Sequence, residues 1–149
     1  MLNRVRVIAD FQFGGGTGDQ IFPDSCEFTL SRTGRIRQIL FENLRIATVR
    51  AEDGRLTLSF DGATRLHRYL PPPGYRVVIL DDVAEFISQG KNAFAKHVVT
   101  ADPGIRAEDE VMVVTADDTL IATGAAALSG MEMLVFNYGV AVNVRHGRI

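Results

Sequence analysis

The chain has 149 residues, 46% hydrophobic and 23% charged, with a formal net charge of −2. That supports one ordinary globular domain or two small ones, and its lone thiol, Cys26, excludes an internal disulfide framework. No apolar run nears the roughly 18 residues of a membrane span, and the slight acidity, taken whole, argues against a nucleic-acid partner.

The first segment is ambiguous by period. Val5, Val7, Ala9, Phe11 and Phe13 alternate as in a strand, while Val5, Ile8, Ala9 and Phe13 also make a helical stripe. Arg4 and Arg6 interrupt any apolar run of a signal peptide, so no leader is expected and the expected compartment is the reducing cytoplasm. Gly14-Gly15-Gly16-Thr17-Gly18-Asp19 stops either element and invites a nucleotide-binding reading, which its spacing rejects. A dinucleotide fingerprint begun at Gly14 needs glycine where Asp19 stands, and one begun at Gly16 needs it at Ile21. A phosphate loop needs a lysine, and none precedes Lys91. The run is expected to be a flexible turn, or a place where backbone meets a partner.

From Ser25 the pattern turns to strands. Cys26, Phe28 and Leu30 alternate with polar neighbours, and Cys26 reads as a small core hydrophobe on that strand. Arg32–Arg35 is a turn, Ile36–Phe41 a second strand, Arg45–Arg50 a third and Leu56–Phe60 a fourth, with short helix or coil at 61–67. Pro71-Pro72-Pro73-Gly74 is expected to be a stiff, extended connector between two domains, 1–70 and 75–149.

Tyr75–Leu80 reads as a buried strand, and Asp81 and Asp82 as carboxylates able to cap the helix that follows. Val83, Phe86 and Ile87 share one helical face, Gly90 ends the helix, and Phe94, Lys96 and Val98 alternate along a second strand. Further strands are expected near Met112–Val114, Leu120–Gly124 and Gly139–Arg145, with a turn at Asp117-Asp118. Met131, Met133, Leu134, Val135 and Phe136 read as a core strand, or else as an apolar docking surface.

Charge is unevenly spread. Residues 1–73 hold ten arginines against eight acids, and residues 74–149 six cations against ten acids. Within Arg32–Arg68 eight arginines face four acids, a charge that suits phosphate or simply decorates a soluble sheet.

The order of elements after Tyr75, with Gly90-Lys91-Asn92 between helix and strand, resembles the PUA domain, a small RNA-binding pseudo-barrel. The similarity spans residues 75–147 and is greatest to the PUA domain ending the archaeal tRNA-guanine transglycosylase that installs the archaeosine precursor. Ala9-Asp10-Phe11-Gln12-Phe13-Gly14 and Ser31–Arg37 resemble the patch-forming domain that precedes it in that enzyme; a related archaeosine synthase carries the same pair. The resemblance implies an α+β chain: a small N-terminal α+β domain with an antiparallel sheet, residues 71–74 as linker, then a β pseudo-barrel. It also implies a helix over 3–13.

Carried over position by position, the resemblance implies an RNA surface at Gly90, Lys91, Asn92, Phe94, Lys96, Gly139, Val140, Ala141 and Arg145. Glycines would admit the RNA backbone, cations would meet phosphates, and Phe94 would stack or, the favoured reading, fill the core. Arg32, Arg35 and Arg37 join the set if they face the same side. No catalytic residue, metal site or cofactor is expected: His67, His97 and His146 lack ligand spacing, and the family's catalytic barrel and cysteine-rich zinc site find no counterpart. The expected function is non-catalytic binding of RNA, of the tRNA class, as accessory to an archaeosine-type modification enzyme such as a tRNA-guanine transglycosylase. Neither DNA nor membrane is an expected partner. The competing reading is a protein-interaction module that stabilises such an enzyme without touching RNA.

Overall fold

The computed structural model describes every residue from Met1 to Ile149, and the chain divides after Leu70 into two units.

In the first unit, helix α1 (Leu2–Phe13) resolves the ambiguous period. Val5, Ala9 and Phe13, four residues apart, are its buried stripe, while Val7 and Phe11 point to solvent. The glycine run is not a flexible turn throughout, because its end is buried in helix α2 (Thr17–Ile21). Thr17 Oγ1 donates to the Ala9 carbonyl at 2.9 Å, and the Gly18 N–H donates to the Asp10 carboxylate at 2.7 Å. Gly18 lies so close to α1 that a Cβ would stand 2.3 Å from the Arg6 carbonyl oxygen.

Strands β1 (Glu27–Leu30), β2 (Ile36–Phe41), β3 (Leu44–Val49) and β4 (Leu56–Leu58) form an antiparallel sheet in chain order. Gln12 of α1 pairs with β4 as another strand would. Its Oε1 accepts from the Leu56 N–H at 2.7 Å, and its Nε2 donates to the Leu56 carbonyl at 2.9 Å. Residues 61–67 lie within a full helix, α3 (Phe60–Tyr69), capped by Ser59, whose Oγ accepts from the Gly62 N–H at 3.1 Å. Ile39, Ile46, Leu56, Leu58 and Leu66 are fully buried between these layers, each contributing about 1.5–3 kcal/mol of transfer free energy. Cys26 sits just ahead of β1 and is half-buried, not a core residue.

The second unit begins with a turn where an extended connector was expected. The Gly74 N–H donates to the Pro71 carbonyl at 3.0 Å, so Pro71–Gly74 folds back on itself. Strand β5 (Arg76–Ile79) follows, then a one-turn 3₁₀ segment at Asp81–Val83 and helix α4 (Ala84–Ser88). Neither Asp81 nor Asp82 caps it; both carboxylates are exposed.

The continuous strand expected at 94–99 is broken. Strand β6 (Ala93–Phe94) gives way to a 3₁₀ turn at Ala95–His97 before β7 (Val98–Ala101). The turn hands the chain from one partner to another: the Ala95 N–H donates to the Gly139 carbonyl at 2.9 Å, whereas the His97 carbonyl accepts from Leu80 at 3.0 Å. With β8 (Glu110–Val114), β9 (Leu120–Ala126) and β10 (Val140–Gly147), the sheet order is β6-β10-β9-β8-β5-β7, with only β5 and β8 parallel. Because its two edge strands are joined by a single turn, this sheet nearly closes into a barrel. Val77, Ile79, Val111, Val113, Ile121 and Val142 fill it.

Residues 131–136 are not a core strand. They lie on helix α5 (Gly130–Val135) and its cap, started by a capping box in which the Glu132 N–H donates to Ser129 Oγ at 3.2 Å and the Ser129 N–H to Glu132 Oε1 at 2.9 Å. Only Met133 of its large side chains is buried; Met131, Leu134 and Val135 are exposed.

Candidate nucleic-acid interface

The edge where β6 meets β10 gathers most of the candidate residues. Phe94 pairs with Val140 and Ala93 with Val142, and the Ala95–Gly139 bond holds the turn before β10 against the 3₁₀ turn after β6. Gly90, Lys91, Phe94, Lys96, Gly139 and Val140 thereby come onto one edge of one sheet.

Each has a local reason to be there. Gly90 has φ +103° and Gly139 φ +85°, backbone states that favour glycine, and a Cβ at either would meet nothing within 4 Å. The backbone at both is open to an incoming group. Lys91 and Lys96 are exposed and make no ion pair, so their charge is available. Phe94, expected in the core, is 41% exposed and meets the His97 ring edge-on, with centroids 6.2 Å apart. An exposed aromatic ring with two unpaired lysines within three residues of it in the chain offers a stacking face with cations nearby for phosphate.

Three other candidates are engaged inside the fold. Asn92 Oδ1 accepts from the Val144 N–H at 3.0 Å, pinning the start of β6 to β10. Ala141 is fully buried and its carbonyl accepts from Ala127 at 2.8 Å. Arg145 grips the Glu110 carboxylate with both Nη atoms, at 2.5 and 2.8 Å. Arg76 is likewise held by Asp118 at 2.7 Å. Four cations of this unit therefore remain outside ion pairs: Lys91, Lys96, Arg106 and Arg148.

In the first unit, Arg32, Arg35 and Arg37 are all exposed around the turn into β2. The Ser31 N–H donates to the Arg35 carbonyl at 2.7 Å, and Gly34 supplies the turn's positive φ of +83°. Arg35 and Arg37 line a groove with Arg50, Glu52 and Asp53, and Arg50 binds both acids, at 3.5 and 3.2 Å. The acids' charge is thus spent on Arg50, and Arg35 and Arg37 are left to solvent.

Neither shifted titratable group is set up for nucleophilic chemistry. Burial pushes the Cys26 thiol up, against the Arg65 and Arg6 charges that pull it down, so the thiolate is disfavoured. Hydrogen bonds from the Thr115 and Thr119 hydroxyls hold the Asp117 carboxyl below its usual range, an exposed turn's geometry. No buried side-chain nitrogen or oxygen lacks a partner.

Comparison with known proteins decides the family. Residues 3–73 match the patch-forming domain C2 of tRNA-guanine transglycosylase, and residues 75–148 match the PUA domain. This is a PUA-domain protein. Over 143 residues, 96% of the chain, it is 50% identical to the tRNA-guanine(15) transglycosylase of Pyrococcus abyssi, and over 147 residues 46% identical to that of Methanothermobacter thermautotrophicus. The match falls in their C-terminal region, and the chain spans only 24% and 22% of their length. Among solved structures, a hypothetical protein from Pyrococcus horikoshii aligns with TM-score 0.75 at 22% identity, covering 98% of this chain and 89% of its own. A conserved PUA-domain protein from Thermoplasma acidophilum aligns with TM-score 0.66 at 18% identity, covering 99% and 90%. At these identities the two structures speak to fold alone.

The PUA unit also exposes aromatic rings that the sequence reading placed elsewhere or passed over. Phe86, read as sharing one helical face with Val83 and Ile87, is exposed while Ile87 is buried, and the Lys91 N–H donates to its carbonyl at 3.2 Å. Phe136 and Tyr138 stack on each other, 6.2 Å between centroids and 17° between planes, just before Gly139. A helix of five residues is too short for its period to tell inside from outside, so no sequence signal marked Phe86. Tyr138 stands immediately before Gly139, a glycine already singled out, the one cue available.

Proposed function

We propose that this chain is a non-catalytic, cytoplasmic RNA-binding protein of the tRNA class, accessory to a tRNA-modification enzyme of the archaeosine type. The observation that carries the reading is the β6–β10 edge, where unpaired Lys91 and Lys96 stand on either side of exposed Phe94 along the chain, with open glycine backbone at Gly90 and Gly139. Ammonium groups neutralise phosphates, aromatic faces receive unstacked bases, and bare glycine backbone lets a sugar-phosphate chain come close. The names of the matched relatives supply the tRNA class and the enzyme. Asn92, Ala141 and Arg145 support this edge from within, and Arg32, Arg35 and Arg37 offer a second basic surface on the first unit. A net acidic PUA unit is compatible with this, because two of its cations cancel buried or turn acids and leave the free ones on the surface.

The test is fluorescence anisotropy of the purified chain with unmodified tRNA transcripts at two salt concentrations, beside a variant carrying Lys91→Ala and Lys96→Ala. Salt-sensitive binding that weakens in the variant is the expected result. Absence of binding at low salt overturns the reading.

One observation favours a second reading. Met131, Leu134 and Val135 stand exposed on one short helix, an apolar surface suited to a protein that stabilises an enzyme without contacting RNA. That reading predicts association with a transglycosylase and no salt-dependent tRNA binding.

A further inference from the structure

We infer that the outward face of α1 is the surface by which this chain packs against the body of a tRNA-guanine transglycosylase, the part N-terminal to the region it matches. The inference rests on the accessory reading above. Helix α1 is apolar on two opposite faces. Val5 and Ala9 face inward and are fully buried, whereas Met1, Val7 and Phe11 are 65%, 57% and 94% exposed. At 100° per residue, Arg4, Val7 and Phe11 form one stripe, diametrically opposite Val5 and Ala9. Met1, Asn3, Arg4, Val7 and Ile8 line a shallow hollow on the helix. Folding of the first unit uses the inner stripe, and the outer one is left exposed by it.

The comparisons point to the occupant. In the Pyrococcus and Methanothermobacter relatives the matched region is about a quarter of the protein and lies at its C-terminal end. About three quarters of each relative therefore precedes the segment equivalent to α1 and enters the module through it. An apolar stripe on the first helix of the module is placed where that body meets it, and a Phe ring clear of its own domain is the kind of anchor that dominates protein interfaces.

The experiment titrates the full chain with the Pyrococcus abyssi enzyme truncated just ahead of its matching region, its folding checked by a cooperative melt. Two variants are compared with the chain itself: Val7→Glu with Phe11→Glu, and Val99→Glu on the PUA unit, where Val99 is 53% exposed. The expected result is saturable binding, weakened about tenfold or more by the α1 pair and unchanged by V99E. No binding, or binding indifferent to the α1 pair, overturns the inference. If the truncated body does not fold, hydroxyl-radical footprinting of the intact Pyrococcus enzyme decides. Protection of the residues aligned with Val7 and Phe11 sustains it, and labelling at the rate of a free surface overturns it. The α1 pair should leave tRNA binding by the chain alone unchanged, so failure here and failure of the RNA reading are told apart.

Discussion

Arg145 and Glu110 form a two-pronged ion pair across the barrel wall, with Glu110 only 4% exposed and Arg145 reaching it from the surface. The pair explains how a residue predicted to meet phosphate comes to be committed to the fold. Its guanidinium neutralises a carboxylate that the barrel has nearly removed from water.

Arg145→Ala should therefore act on stability first. We expect a loss of about 2–3 kcal/mol, at the low side for a buried pair because the arginine is partly open to water. Adding Glu110→Gln should recover part of it, a coupling that urea melts of the four-member cycle would report. A melt unchanged by R145A, with tRNA affinity lost, would return Arg145 to the binding surface.

For Lys91 and Lys96 the expectation is reversed. Each substitution by alanine should leave the melt within about 0.5 kcal/mol, since neither ammonium has a partner to lose. Each should lower the slope of log affinity against log salt by about 1. Phe94→Ala should weaken binding with little change in that slope, because stacking releases no counterion. Equal slopes for all variants would show that this edge carries no phosphate contact.

Gly18→Ala should unfold the first unit's helical layer more than any surface change. Its Cβ would stand 2.3 Å from the Arg6 carbonyl oxygen and 2.6 Å from the Arg6 Cα, both backbone atoms that cannot swing aside. A cost of about 3 kcal/mol is expected from such overpacking. Gly15→Ala, with nothing within 4 Å and an ordinary φ, should stay within about 0.5 kcal/mol. Similar thermal midpoints for the two would refute the close packing of α1 on α2.

Asp117 supplies a pH signature. Its carboxyl is held below the usual range by the Thr115 hydroxyl and then that of Thr119, so folding favours the ionised form. The contribution is present above the ordinary carboxylate range and fades as pH falls through it. Denaturant midpoints measured from pH 6 down to 3 should fall slightly less steeply for Asp117→Asn than for the parent. Parallel curves would remove Asp117 from the acid response.

Much of the architecture was legible because strong local signals agreed. Ile36–Phe41 reads as a strand and is one, and Gly90 ends α4 with the positive φ its position required. Where the local reading failed, tertiary pairing had overruled it. Phe94, Lys96 and Val98 alternate, yet the bonds from Ala95 to Gly139 and from Leu80 to His97 turn the chain through a 3₁₀ segment so that it can serve both edges of one barrel. At 131–136 the apolar run suggested a strand, but Ser129 and Glu132 are three apart, the spacing of a capping box, and that spacing outweighed hydrophobicity.

The sequence by itself determined the two-part α+β order, the absence of nucleotide-binding spacing in the glycine run, and which residue types stand near Gly90 and Gly139. Those are properties of spacing and composition, carried by neighbours along the chain. Only the tertiary structure decided which of the candidate cations are free. A guanidinium or ammonium has the same chemistry at every position, and whether its charge reaches solvent depends on acids distant in sequence, as Glu110 is from Arg145 and Asp118 from Arg76. The same holds for the aromatic rings of the second unit: burial belongs to the packed surface, and no local pattern records that Phe94 and Phe86 lie outside it.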